Sequence, residues 1–206
     1  MSKTDELKKA YAMDYTDTAS VQDHYDVWAE AYDQDTQGFG YVGPANAARV
    51  LSEHLELSAA AVLDIGCGTG LVGVALAQLG AGNVDGTDLS EKMITRCRET
   101  GAYRDLKSED LLQGLAAQDG SYDAVISVGT FGPLGPDALQ PALAPVKIGG
   151  LACISINEIF WDQHGFDAAF TALCDTGAWR LVTRETVLQA KEGGLQARVT
   201  LLRRSR

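Results

Sequence analysis

The chain has 206 residues, 46% of them hydrophobic, which is material for one large domain with its own core. Seventeen basic against twenty-eight acidic residues give a net charge of −11 at pH 7, so a polyanionic partner such as nucleic acid is disfavoured. The four cysteines, Cys67, Cys97, Cys153 and Cys174, make no C-x-x-C pair, no histidine stands at zinc spacing, and no signal-like or membrane-length apolar run occurs; a cytoplasmic protein with no metal and no membrane attachment is expected.

Residues 1–18 are polar and mixed in charge and are expected to be a flexible leader. Val21, Tyr25, Trp28 and Tyr32 then recur at i, i+4, i+7 and i+11, the spacing of one helix face. With the glycine-rich loop Gln37–Gly43, which carries Phe39 and Tyr41, and a helix over 44–56 opened by Pro44, this stretch is expected to form a helical lid, residues 19–57, on a core of residues 58–206.

The core opens on Val62-Leu63-Asp64-Ile65, a short buried strand, after which Gly66, Gly68 and Gly70 bring the backbone out of the sheet with no Cβ in the way. Leu71–Leu79 is helical in composition, so the loop leads into a helix N-terminus whose free N–H groups favour an anion. That is the layout of a nucleotide-type cofactor site. Leu71 stands where the dinucleotide fingerprint needs glycine or alanine, which makes the fit to NAD poor.

A second strand, Asn83–Asp88, ends on an acid 22 positions beyond Gly66, close to the offset at which a carboxylate meets ribose hydroxyls. Ser90 is placed to cap a helix that buries Met93, Ile94 and Cys97 and ends before Gly101. A weaker strand, Tyr103–Lys107, precedes Asp110, again 22 positions on, which returns an acid to the same sheet edge. Ser121–Thr130 reads as a strong strand followed by a stiff loop, Phe131–Pro136. A helix over 137–146, an apolar strand Leu151–Ile156, a helix over 163–175 and a hairpin of Trp179–Leu188 with Leu195–Leu202 complete the pattern.

The acid two residues before Gly66 and the G-x-G-x-G loop resemble motif I of the class I S-adenosylmethionine-dependent methyltransferases. Trp28-Ala29-Glu30-Ala31-Tyr32-Asp33, Asp64–Gly70 and Asp119–Val125 are similar to the Williams–Beuren-region methyltransferase-like group, and the resemblance runs over about residues 20–203. It implies an α/β fold, a single doubly wound, mostly parallel seven-stranded Rossmann-like sheet with an antiparallel C-terminal hairpin. It also implies S-adenosyl-L-methionine as cofactor and S-adenosyl-L-homocysteine as product. The implied cofactor contacts are Asp64, Gly66, Cys67, Gly68, Thr69 and Gly70 along the loop, Asp88, Leu89 and Met93 after the second strand, Asp110 and Leu111 for the adenine, and Val128 and Gly129 at the end of the fourth strand. Trp28 and Tyr32 are expected to join them from the lid.

The chain lacks the Asn/Asp-Pro-Pro-aromatic signature of amino methyltransferases acting on bases and glutamine, and it lacks a Pro-Cys nucleophile. Both departures argue for another acceptor class, and the acceptor is expected to be a small molecule. His164, Glu158 and Tyr32 are the candidates for a base, with no spacing signal that separates them. The rival readings are a module that binds S-adenosylmethionine without turnover, an enzyme that alters the cofactor itself, and a nicotinamide-dependent oxidoreductase.

Overall fold

A computed structural model describes residues 17–206. The expected leader lies outside the described residues apart from Asp17 and Thr18, and Asp17 caps the first helix by accepting from Ser20 N at 3.3 Å. Three helices come before the sheet: α1 (Thr18–Trp28), α2 (Tyr32–Gly38) and α3 (Gly43–Ser52). The sheet is then built by β1 (Val62–Ile65), α4 (Leu71–Gln78), β2 (Val84–Asp88), α5 (Glu91–Glu99), β3 (Asp105–Ser108) and β4 (Tyr122–Val128). It is completed by α6 (Phe131–Leu134), α7 (Leu139–Leu143), β5 (Val146–Asn157), α8 (Glu158–His164), α9 (Phe166–Asp175), β6 (Trp179–Leu188) and β7 (Gln196–Arg204).

The seven strands form one sheet in the order β3-β2-β1-β4-β5-β7-β6. β1 to β5 are parallel, and β7 inserts antiparallel between β5 and β6, which is the mostly parallel sheet with an antiparallel hairpin that the sequence implies. Alternation along the strands assigns side chains to two layers. Val62, Ile126, Cys153 and Val199 meet Val50, Leu51, Val72 and Leu76 of α3 and α4 on one face. Leu63, Val125, Ile154 and Leu202 meet Leu139, Trp161, Phe166 and Phe170 on the other. The order reverses between β1 and β4, and that switch point opens a crevice at the carboxyl ends of the strands. Among the described residues, no helix is long and apolar enough to cross a membrane.

The structure departs from the sequence reading in several places: the stiff loop expected over Phe131–Pro136 opens with the short helix α6, the helix expected over 44–56 ends at Ser52, and four further differences have a visible cause. The single aromatic helix expected through Tyr32 stops at Trp28, and a turn over 29–31 separates α1 from α2. The break is held by side chains, with Trp28 Nε1 donating to Asp35 Oδ2 at 3.0 Å and the Tyr32 ring edge-on to Trp28 at 4.8 Å. The helix expected over 137–146 shrinks to five residues after a 3₁₀ turn, because Pro136, Pro141 and Pro145 cannot donate to a continuous ladder. β5 begins at Val146 rather than Leu151 and passes through Gly150, where a Cβ would lie 2.7 Å from the Asp123 carbonyl. The helix expected over 163–175 is two helices divided at Gly165, whose φ of +66° ends α8.

Candidate cofactor cleft

The glycine loop connects β1 to α4 with left-handed backbone at Gly66 (φ +70°), Gly68 (+54°) and Gly70 (+97°). These three conformations serve different ends. A Cβ on Gly66 would fall 2.0 Å from Thr130 Oγ1, so the loop presses directly on the residue that follows β4. A Cβ on Gly68 would meet nothing within 4 Å, because that position faces an open cleft.

The loop's N–H groups are less free than the sequence suggests. Gly66 N and Cys67 N donate to the Thr87 carbonyl at 2.8 and 3.0 Å, Gly70 N donates to Cys67 O, and Gly68 N donates to Asp88 Oδ2 at 2.8 Å. Asp88 also accepts from Ser90 N at 2.9 Å, so the acid at the end of β2 holds both the glycine loop and the start of α5. Burial pushes the Asp88 carboxyl above its ordinary range, and the N–H groups of Ser90 and Gly68 pull it back.

Asp64, the acid of the motif, lies wholly inside the protein. Its Oδ2 accepts from Tyr103 Oη at 2.6 Å, and that same phenol oxygen accepts from Gly73 N of α4. Burial drives the Asp64 carboxyl up to about 7 against the Tyr103 bond, with Asp88 adding to the rise. The Tyr103 phenol is in turn pushed up by burial and then by Asp64.

Of the expected site residues, Gly66, Gly68, Asp88, Leu89, Met93, Asp110 and Leu111 lie on the cleft wall. Val128, Gly129 and Tyr32 close it from the β4 end and from α2. The other motif residues lie behind the wall. Cys67 packs on Ile94 and Cys97, Thr69 Oγ1 donates to Asp33 Oδ1 at 2.5 Å, and Gly70 supplies the left-handed cap of α4. Trp28 is likewise buried, between His24, Tyr25 and Tyr32.

Two of the three candidate bases are elsewhere. Glu158 pairs with Arg198 at 3.5 Å, and His164 stacks on Phe160 at 5.8 Å, both at the β5–α8 end of the sheet. Tyr32 alone reaches the cleft.

Sequence reasoning passed over Glu109, Thr130, Tyr25 and Tyr41, all on the wall. Glu109 accepts from Thr87 Oγ1 at 3.1 Å and from Ala116 N at 3.1 Å, and its position beside Asp110 was the available signal. Tyr25 and Tyr41 belong to aromatic stretches already singled out for the lid. Nothing local marks Thr130, which is brought to Gly66 only by the pairing of β1 with β4.

Comparison with known proteins fixes the class to which this arrangement belongs. Residues 62–147 match the model of a family described as a methyltransferase domain. Human methyltransferase-like protein 27 is 35% identical over 171 residues, covering 79% of this chain and 69% of that protein. The ribosomal protein L11 methyltransferase of Thiobacillus denitrificans is 35% identical over 95 residues, and there the match covers 46% of this chain and 31% of the relative. Magnesium protoporphyrin IX methyltransferase from Synechocystis with bound S-adenosylmethionine has a similar fold, with a TM-score of 0.67 at 20% identity over 92% of this chain and 97% of that one. The chain belongs to the class I S-adenosylmethionine-dependent methyltransferases, and its cofactor is S-adenosylmethionine. The cleft fits that group: Gly68 leaves room for ligand where a side chain would intrude, and Asp88 and Asp110 stand at successive strand ends along the same wall.

Proposed function

We propose that the protein transfers a methyl group from S-adenosylmethionine to a small-molecule acceptor held in this cleft. The observation that carries the reading is the union on one wall of Gly66 and Gly68, Asp88 and Asp110, which are scattered over 45 positions of sequence. In this reading Gly66 and Gly68 border the methionine part, Asp88 accepts from the ribose hydroxyls, and Asp110 with the Leu111 backbone reads the adenine edge between the apolar Met93 and Leu111. When bound, the cofactor supplies an electrophilic methyl group on a sulfonium.

The chain's own contribution is alignment and exclusion of water. Tyr25, Tyr32 and Tyr41 face the cleft, and aromatic faces attract a sulfonium as they do an ammonium. The helical segment 19–57 acts as a lid in this reading. It is tied to the cofactor site by two carboxylates: Asp33 accepts from Thr69, and Asp26 accepts from Ser90 Oγ and from Lys92 N at 3.4 Å. The four cysteines are free thiols, which supports a reducing, cytoplasmic setting.

A protein acceptor is the second reading, favoured by the L11 methyltransferase match, although that match covers under half of this chain. Calorimetry with S-adenosylhomocysteine and with NAD tests the site: heat from NAD comparable to that from S-adenosylhomocysteine overturns it. Radiolabelled S-adenosylmethionine added with a cell extract then separates the acceptors by whether label enters the small-molecule or the protein fraction. Label in neither fraction identifies a binding module without turnover.

A further inference from the structure

We propose that the methyl acceptor bears no anionic group: it is a neutral or cationic molecule whose apolar or aromatic body sits between the three cleft tyrosines and the Thr130–Leu134 segment. This rests on the methyltransferase reading of the cleft and deepens it.

The charges on the wall decide the sign. Asp88, Glu109 and Asp110 face the cleft, and among the described residues no lysine, arginine or histidine lines it. The bonds these three carboxylates make are to neutral donors: Gly68 N and Ser90 N for Asp88, Leu112 N for Asp110, and Thr87 Oγ1 and Ala116 N for Glu109. Their charge is therefore satisfied by dipoles and not cancelled by an ion pair. Among the described residues, a carboxylate or phosphate entering this cleft meets like charge and no side-chain counter-ion.

The part of the wall left over by the cofactor decides the shape. Gly66, Gly68, Asp88, Met93, Asp110 and Leu111 are used by the proposed cofactor contacts; beyond them the wall carries Tyr25, Tyr41, Thr130 and Leu134, with Tyr32 shared between the cofactor's sulfonium and the acceptor. Tyr41 Oη lies 3.5 Å from where a Cβ of Gly129 would be, so its ring spans from the N-terminal segment to the end of β4. The segment that carries it is strapped to the β6–β7 turn. Tyr41 bridges Ala190, Val42 N and Gly43 N donate to Gln189 O at 2.8 and 3.0 Å, and Glu192 N donates to Phe39 O at 3.1 Å. An aromatic wall of this kind accepts flat apolar bodies and cations.

Three probes that share a phenol head test the proposal: p-cresol, tyramine and 4-hydroxyphenylacetate, which are neutral, cationic and anionic. The full chain is first titrated with S-adenosylhomocysteine by calorimetry, and absence of that binding condemns the methyltransferase reading itself. The loaded protein is then titrated with each probe by ligand-observed NMR. Neutral and cationic probes are expected to bind at least about tenfold more tightly than the anion, and Leu134→Lys is expected to raise affinity for the anion by about as much. Equal or tighter binding of 4-hydroxyphenylacetate to the unmodified chain overturns the proposal. So does failure of all three to bind while S-adenosylhomocysteine binds. If Leu134→Lys does not fold, the ranking on the unmodified chain decides alone.

Discussion

Replacing Asp88 by alanine probes two roles that the structure gives to one carboxylate. Its Oδ2 accepts from Gly68 N at 2.8 Å and its Oδ1 from Ser90 N at 2.9 Å, so alanine leaves two backbone donors without their partner. An orphaned donor costs about 1–3 kcal/mol when it is shut off from water. Gly68 borders an open cleft and can turn to solvent, whereas Ser90 is buried, so one full penalty is the better count. The ligand-free variant should therefore lose about 1–3 kcal/mol, which for a chain of this length lowers the melting temperature by roughly 2–4 °C per kcal/mol. The sequence alone places Asp88 at a strand end and predicts little cost to the fold; the two N–H bonds change that expectation.

The same substitution removes the proposed ribose acceptor. Hydrogen bonds to an ionised group contribute about 1.5–3 kcal/mol, and about 1.4 kcal/mol is a factor of ten, so affinity for S-adenosylhomocysteine should fall at least tenfold. Asp88→Asn keeps one acceptor oxygen and should fall between alanine and the native residue in both measurements. Calorimetry and ligand-free thermal unfolding read the two effects separately. An Asp88→Ala variant that binds S-adenosylhomocysteine as tightly as the native chain refutes the ribose contact, and an unchanged melting temperature refutes its role in holding the loop.

Three further outcomes are expected. Gly66→Ala combines a φ of +70° with a 2.0 Å clash on Thr130 and should destabilise the fold well beyond Gly68→Ala, which meets open space; Gly68→Ala should fold yet bind S-adenosylhomocysteine poorly, and equal melting temperatures for the pair contradict this. Asp64 should make stability fall as pH rises. The unfolded carboxyl ionises from about 3.8, while the folded one holds its proton to about 7. The advantage of the neutral acid is thus complete below the first value and gone above the second, a difference on the order of 4 kcal/mol. Urea unfolding of native and Asp64→Asn proteins at pH 5 and pH 8 should show the native chain losing ground at the higher pH, and parallel behaviour refutes it. Finally, Asp26→Ala with Asp33→Ala should raise hydrogen exchange over α1 and α2, because it removes the carboxylates that accept from Ser90, Lys92 and Thr69; unchanged protection means that aromatic packing alone holds the segment.

The features that were legible in the sequence are those written in local chemistry. The glycine loop, the acids ending β2 and preceding the 3₁₀ turn at Leu111, and the Ser90 cap on α5 each need only a few neighbouring residues, and the structure has all of them in place. The break between α1 and α2 was not legible, since it depends on Trp28 reaching Asp35 and on Asp33 reaching Thr69, thirty-six positions away. Thr130 escaped notice for the same reason, because its place against Gly66 follows from strand order.

The motif itself divides along a line that spacing does not reveal. Gly66 and Gly68 lie on the cleft wall, while Asp64, Cys67 and Thr69 turn inward to hold that backbone still. Cys67 packs on α5, Thr69 bonds to α2, and Asp64 is joined through Tyr103 to Gly73 of α4. Gly70 is turned inward too, where a Cβ would lie 3.0 Å from Cys97 Sγ. A residue can therefore belong to the motif without lining the cleft. Substitutions at Asp64, Cys67 and Thr69 are then expected to act through the conformation of the loop, and those at Gly68 and Asp88 through the ligand as well.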